Sequence, residues 1–381
     1  MDKIKRFIDI AVPVQTCNLR CPYCYIFQEK KFLAALPYFM YDAKTIGKAL
    51  SKERLGGICH FNLCGGGETL LPPEMTDIIK EMLTQGHYLA IVTNGTITKR
   101  FEEICKLPKE YLSRLLFKFS FHYTELKRLN LFDVFWNNVH NVKVAGASFS
   151  VELTPNDETI PYIDEIKAIC TEKVNAFPHI TVARKMDSDL SILTNLSREE
   201  YKKTWGTFKS NLFDFKMTTF NVKRKEFCYA GQWTATLNLG TGILRRCYCG
   251  GVIQNIFKNV NKPIKWEAIG SNCKEPHCHN SHVWLTLGNI PELQNIPTYS
   301  SMRNRICNDG SEWLNEKMKN FLSQKLYDNN KQFTKEEMIQ QNKKMAFKST
   351  VDFMLLSIFR FIRQHLPKKL RIGVAKKLRK K

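Results

Sequence analysis

Eight residues near the start of the chain, Cys17-Asn18-Leu19-Arg20-Cys21-Pro22-Tyr23-Cys24, carry three thiols spaced C-x3-C-x2-C. Thiolates are the usual ligands of iron–sulfur clusters. Three of them on one loop can hold three corners of a cubane [4Fe-4S] cluster. The fourth iron is then left without a protein ligand and open to a reactant. The competing reading is a structural zinc loop or plain buried thiols. Zinc sites usually close with a second Cys or His pair, and neither residue type follows Cys24 until Cys59.

Such a loop needs a platform. Residues 8–14, Ile-Asp-Ile-Ala-Val-Pro-Val, read as a short buried strand, which puts the cysteines just past its C-terminal end. Further strands are expected at 58–63, 88–92, 115–122, 149–153 and 180–183. Helical patterns at 41–55, 73–84, 99–105, 125–144 and 160–170 separate them. Strands alternating with helices predict parallel βα units with right-handed crossovers, an α/β fold. A barrel and an open sheet both satisfy that pattern, and in either one ligands collect at the strands' C-terminal ends. Three segments fall there: the cysteine loop, Gly65-Gly66-Gly67-Glu68 and Thr93-Asn94. Glycines let a backbone approach a ligand closely, although a glycine run by itself more often marks a plain turn.

The cysteine loop followed, after the next strand, by the glycine loop resembles the radical S-adenosylmethionine (SAM) superfamily. The resemblance implies a partial (β/α)6 barrel over residues 1–220. It also implies a [4Fe-4S] cluster on Cys17, Cys21 and Cys24 that binds SAM, and one-electron cleavage of SAM to methionine and a 5′-deoxyadenosyl radical. Gly66, Gly67 and Glu68 match the loop that contacts the methionine amino group, and Tyr23 matches the aromatic position near the adenine. Asn94 joins this cofactor set, as does Ser120, which closes the fourth strand near the ribose or carboxylate of SAM. His122 stands where relatives often carry an acidic residue, and reads equally as a ligand contact or a packed histidine. Glu152, Thr154 and Arg184 are candidates to face the site, and Cys64 reads as a buried thiol.

A second group of cysteines follows. Cys228, Gly242 and Cys247 are spaced C-x13-G-x4-C, with Cys249, Cys273 and Cys278 beyond them. This resembles the SPASM and twitch extensions that carry auxiliary clusters. It implies a small cysteine-rich domain at 221–310 with a second [4Fe-4S] cluster on Cys228, Cys247, Cys273 and Cys278, Cys249 being the substitute. A zinc site remains the alternative, because His277, His279 and His282 lie close by in the sequence.

The chain of 381 residues has a formal net charge of +22, and residues 311–381 hold 18 Lys+Arg against 6 Asp+Glu. This tail is expected to be helical and basic. Its apolar run at 353–359 is too short to span a bilayer. Eight basic residues among the last fifteen suit an anionic membrane surface, at about 1 kcal/mol each before screening. A protein partner or a solvated tail competes with that reading, and the lack of interleaved aromatics disfavours nucleic acid. The N-terminus lacks the apolar region of a signal peptide. Thirteen cysteines therefore read as reduced thiols and metal ligands in the cytoplasm, with the tail on the inner face of the membrane.

The expected activity is oxidative modification of a peptide or protein side chain, or of a saccharide. A low-potential donor such as flavodoxin or ferredoxin would supply the electron. Only sixteen residues precede the cysteine loop, so no N-terminal peptide-binding domain is expected. The alternative from another class is a non-catalytic, zinc-binding, membrane-associated scaffold.

Overall fold

The computed structural model describes residues 2–186, 190–248 and 250–365. Its centre is one nine-stranded sheet of order β6-β5-β4-β3-β2-β1-β7-β8-β9. The strands are β1 Arg6–Val12, β2 Cys59–Gly65, β3 Tyr88–Thr93, β4 Leu115–Ser120, β5 Ser148–Leu153, β6 His179–Ile180, β7 Thr234–Asn238, β8 Ile243–Arg245 and β9 Val252–Asn255. Every neighbour pair from β6 through β1 to β7 is parallel, and β8 and β9 run antiparallel. The helices between β1 and β6 are the crossovers that parallel pairing requires.

Near-continuous burial of the parallel strands reflects cover on both faces. Outside, Ile78, Ile79, Met82, Phe101, Phe135, Val139 and Ile166 of the crossover helices pack on Ile8, Ile10, Phe61, Leu63, Phe117 and Phe119. Inside, the lower half of the sheet is plugged from the C-terminal part of the chain. Trp284, Leu287, Tyr299, Met302 and Phe321 pack on Phe7, Tyr88 and Leu116. Tyr88 and Phe321 stack with ring centroids 3.6 Å apart. The upper half of the inner face has no such plug, and the cavity described below occupies it.

Local chemistry explains where elements break. The single helix expected over 41–55 is two, Ala43–Ala49 and Lys52–Leu55, because Ser51 caps the second by accepting from Arg54 N. Gly56, at φ +80°, ends it. The helix expected over 125–144 is also two, Tyr123–Arg128 and Phe132–Val144, separated at Asn130 with φ +53°. The hairpin expected after Cys228 is present, and β7 continues the main sheet by pairing in register with β1.

Beyond the body, the helix Lys335–His365 is anchored by its first half. Asn342 Oδ1 accepts from Ser271 N at 2.9 Å, and Lys344 and Lys348 reach Glu267 at 2.8 and 3.1 Å. Residues 366–381, with the eight basic residues that end the tail, lie outside the described residues. Among the described residues no helix is long and apolar enough to cross a membrane.

Candidate functional site

The C-terminal ends of β1–β6 surround a cavity of about 320 Å³. Cys17, Cys21 and Cys24 border it, with Gly66, Gly67 and Glu68 alongside, and Tyr23, Asn94 and Ser120 complete the set expected from sequence. The cysteine loop is zipped to the glycine loop through the backbone: Gly67 N donates to Val14 O at 2.8 Å and Glu68 N to Thr16 O at 3.0 Å. That contact is why glycine is required. A Cβ on Gly67 would lie 2.0 Å from the Thr16 oxygen, and one on Gly65 would lie 2.4 Å from Val14 Cγ1.

Glu68 is buried, and its carboxylate is already bound by three donors. Thr93 Oγ1 and Asn94 N donate to it at 2.7 Å and Leu70 N at 2.9 Å. Burial raises its pKa, and those hydrogen bonds oppose the rise. Glu68 therefore fastens the glycine loop to the end of β3. Asn94 in turn reaches Asn18 Oδ1 at 2.8 Å and Cys17 Sγ at 3.7 Å, and Leu19 N approaches Cys17 Sγ at 3.4 Å. Donors aimed at a sulfur suit a thiolate ligand, whose charge they stabilise. Burial pushes the Cys17 thiol up to about 11 and Cys21 higher still, so a bound cation would be needed to ionise them at neutral pH. The donor set thus fits an iron–sulfur cluster.

One residue overlooked in the sequence, Glu125, holds this loop. Glu125 accepts from Arg20 N at 2.7 Å and pairs with Arg128 at 2.8 Å. His122, left open by sequence, lines the cavity and meets Tyr23 OH at 2.7 Å through Nδ1. Burial drops its pKa to about 4 and keeps it neutral. Cys64 also borders the cavity, rather than lying within packed core.

The wall near β6 is of another kind. Thr154, Arg184, Lys216 and His282 border the cavity there, and Glu152 does not. Beneath them runs a polar layer from the inner face of the strands. Asn62 donates to Asp9 at 2.7 Å, Lys118 to Asn62 at 3.4 Å, and Arg303 pairs with Glu152 at 2.6 Å. Burial opposes ionisation of Glu152, yet Arg303 and Lys118 hold its carboxyl below the usual value.

Cys228, Cys247, Cys273 and Cys278 line a second, smaller cavity of about 60 Å³. Asn289 Nδ2 points at Cys228 Sγ at 3.1 Å. Burial raises the Cys228 and Cys278 thiols, and the neighbouring cysteines add to the rise. Cys249, the proposed substitute, lies outside the described residues. His279 and Asn280 border both cavities, so one loop separates the two thiol sets. His279 is engaged by Glu275 at 2.8 Å. Among the described residues no three His, Cys, Asp or Glu side chains are close enough to share one metal ion.

Residues 12–148 match the radical SAM superfamily. No curated protein sequence gives a significant match. Among solved structures, Streptococcus suis SuiB bound to S-adenosylmethionine is similar at TM-score 0.46 and 13% identity, over 67% of this chain and 64% of SuiB. The chain therefore spans just under two thirds of that protein's length. Native anSMEcpe with bound AdoMet is similar at TM-score 0.43 and 13% identity, over 94% of this chain and 100% of its own. BtrN in complex with AdoMet and 2-DOIA is similar at TM-score 0.29 and 15% identity, over 87% of this chain and 92% of its own.

Proposed function

Taking residues 12–148 as a radical SAM domain, whose family uses a [4Fe-4S] cluster and SAM, we propose that the chain is an oxidoreductase of the maturase type. A cluster held by Cys17, Cys21 and Cys24 would supply the electron that cleaves SAM, and the resulting radical would take a hydrogen atom from a peptide or protein side chain, or from a saccharide. Cys17, Cys21 and Cys24 are the cluster ligands. The backbone at Gly66 and Gly67 accepts the methionine end of SAM, while Tyr23, Asn94 and Ser120 line its remaining length. Glu68 acts by positioning, since its carboxylate is occupied by Thr93, Asn94 and Leu70. Cys228, Cys247, Cys273 and Cys278 hold a second cluster, a route for the electron left on substrate, and residues 221–310 form its domain. Flavodoxin or ferredoxin, commonly acidic, suits a chain of net charge +22 as the donor.

The observation that carries the reading is the convergence of three thiols and the glycine loop on one cavity, zipped by Gly67 N and Glu68 N. The test is anaerobic protein with dithionite and SAM. 5′-Deoxyadenosine should form well above a Cys21→Ala control, and equal yields would end the proposal.

A second observation concerns place. Phe347, Val351, Met354 and Ile358 recur at i, i+4, i+7 and i+11 on the helix Lys335–His365 and are exposed, Phe347 at 78%. We infer that this face, with the basic tail beyond it, rests on an anionic membrane at the cytoplasmic side.

A further inference from the structure

We infer that the β6-side wall of the cavity, built by Arg184, Lys216 and His282, receives an oxyanion of the substrate, a carboxylate or a phosphoryl group, beside SAM. The inference rests on the reading of this cavity as the SAM site. Lys216 projects from the helix Asn211–Thr219, is only 8% exposed, and donates to the uncharged Thr181 Oγ1 at 2.8 Å. Among the described residues no carboxylate lies in ion-pair range of Lys216 or Arg184. Arg184 is fixed by its backbone instead: its carbonyl accepts from Gln28 Nε2 at 3.3 Å, and it bridges Ile192. Its guanidinium has no carboxylate partner among the described residues. His282 Nδ1 is buried with no hydrogen-bond partner.

The carboxylates nearby are already engaged. Glu152 is bound to Arg303 at 2.6 Å, and Asp9 accepts from Asn62, Asn280 and Tyr248. Glu68 is held by Thr93, Asn94 and Leu70. Lys118 and Arg303 lie close enough to Lys216 for their charge to act on it, as does Arg184. Four basic side chains, with Lys118, Lys216 and Arg303 buried and Arg184 half-buried, therefore share the region with three engaged carboxylates, Asp9, Glu68 and Glu152. A buried positive excess without a counter-ion is unfavourable, and an oxyanion entering the cavity would neutralise it with charge-assisted bonds. A guanidinium and an ammonium in one wall suit a group with two or three oxygens.

SAM carries a carboxylate of its own, so position matters. The cysteine and glycine loops and Asn94 follow β1, β2 and β3. Arg184 follows β6, at the opposite edge of the parallel array. The rim curls back, since Gln28, four residues past Cys24, donates to both Tyr23 O and Arg184 O, so the SAM affinities of the variants below separate SAM's own carboxylate from a substrate's.

The test uses anaerobically prepared holoprotein saturated with SAM, titrated calorimetrically with inorganic phosphate and, in a second arm, with acetate. One of the two should bind at one per chain, and the stronger arm identifies a phosphoryl or a carboxylate source. Lys216→Met and Arg184→Gln should each weaken that anion by about tenfold or more. Lys216→Arg, which restores the charge, should recover most of it and guards against a fold defect. Absence of anion binding to SAM-loaded wild type overturns the inference. So does a loss of SAM affinity in both variants with anion binding intact, because the cations would then hold SAM's own carboxylate. If wild type fails to bind SAM at all, the functional reading fails, and the same titrations on SAM-free protein still decide the oxyanion site.

Discussion

Replacing Lys216 with methionine should make the protein more stable. Methionine keeps the unbranched length of the side chain and removes a charge that is costly to bury. Burial lowers the lysine from 10.5 to about 7, helped by Arg184, Arg303 and Lys118 and opposed by Glu152. At about 1.4 kcal/mol per unit, that shift costs the folded state about 4 kcal/mol at pH 7. Loss of the bond to Thr181 returns about 1 kcal/mol, leaving a net gain of about 3 kcal/mol. The sign follows from proton counts. Between pH 7 and pH 10.5 the unfolded chain binds more protons at this site than the folded one, so wild-type stability rises with pH across that window. The advantage of Lys216→Met is therefore greatest at pH 7 and below, and is gone by pH 10.5. His277 and His282 also face this group, but burial holds both well below the window, His277 at about 4. The assay is the thermal midpoint of SAM-free anaerobic protein from pH 7 towards about pH 9, where a rise of a few degrees should shrink as pH climbs. A variant less stable than wild type at pH 7, or a gap that does not narrow with pH, would refute the reasoning.

Three further outcomes are expected. Gly67→Ala should force the Thr16 carbonyl away and separate the two loops, so SAM binding should fall by about tenfold or more while the far-ultraviolet spectrum is kept. Glu125→Gln should loosen the cysteine loop by about 1–2 kcal/mol, through weaker bonds to Arg20 N and Arg128, and iron should be lost faster to a chelator; unchanged kinetics would remove Glu125 from the site. Full-length protein should sediment with vesicles containing anionic lipid and stay free of zwitterionic ones. Ile358→Asp should weaken that association, and a self-associating protein that ignores both vesicles would mean that a second copy covers the helix face.

The metal loop was legible because its information is local: three thiols and a glycine run need only a strand before each. The polar floor of the cavity was not, because its members are scattered over the sequence. Asp9, Asn62, Lys118 and Glu152 stand in strands of mostly buried residues, within RFIDIAV, CHFNLCG, LLFKFS and SFSVEL. Parallel strands covered on both faces are expected to be apolar throughout. A charged or amide residue inside four of the six parallel strands β1–β6 was therefore a signal of a shared interior site. Asp9 stands opposite Asn62, and Lys118 opposite Ser150 beside Glu152. Glu125 was hidden for a related reason: its partner is a backbone amide over a hundred residues earlier, which no local pattern reveals. The breaks at Ser51 and Asn130 were missed because apolar periodicity runs across them, while the cap and the left-handed residue act on the backbone alone.

The first strand of the chain ends up in the interior of the sheet, hydrogen-bonded to β2 on one side and β7 on the other. During synthesis β1 can meet β2 early, but its second edge stays bare until Asn238 has left the ribosome. At 5–20 residues per second, the interval is on the order of ten to forty-five seconds. An unpaired edge in the middle of a nascent sheet invites pairing with other chains. Pairing of β7 with β1 therefore closes this edge only late in synthesis, and faster translation up to Asn238 shortens its exposure.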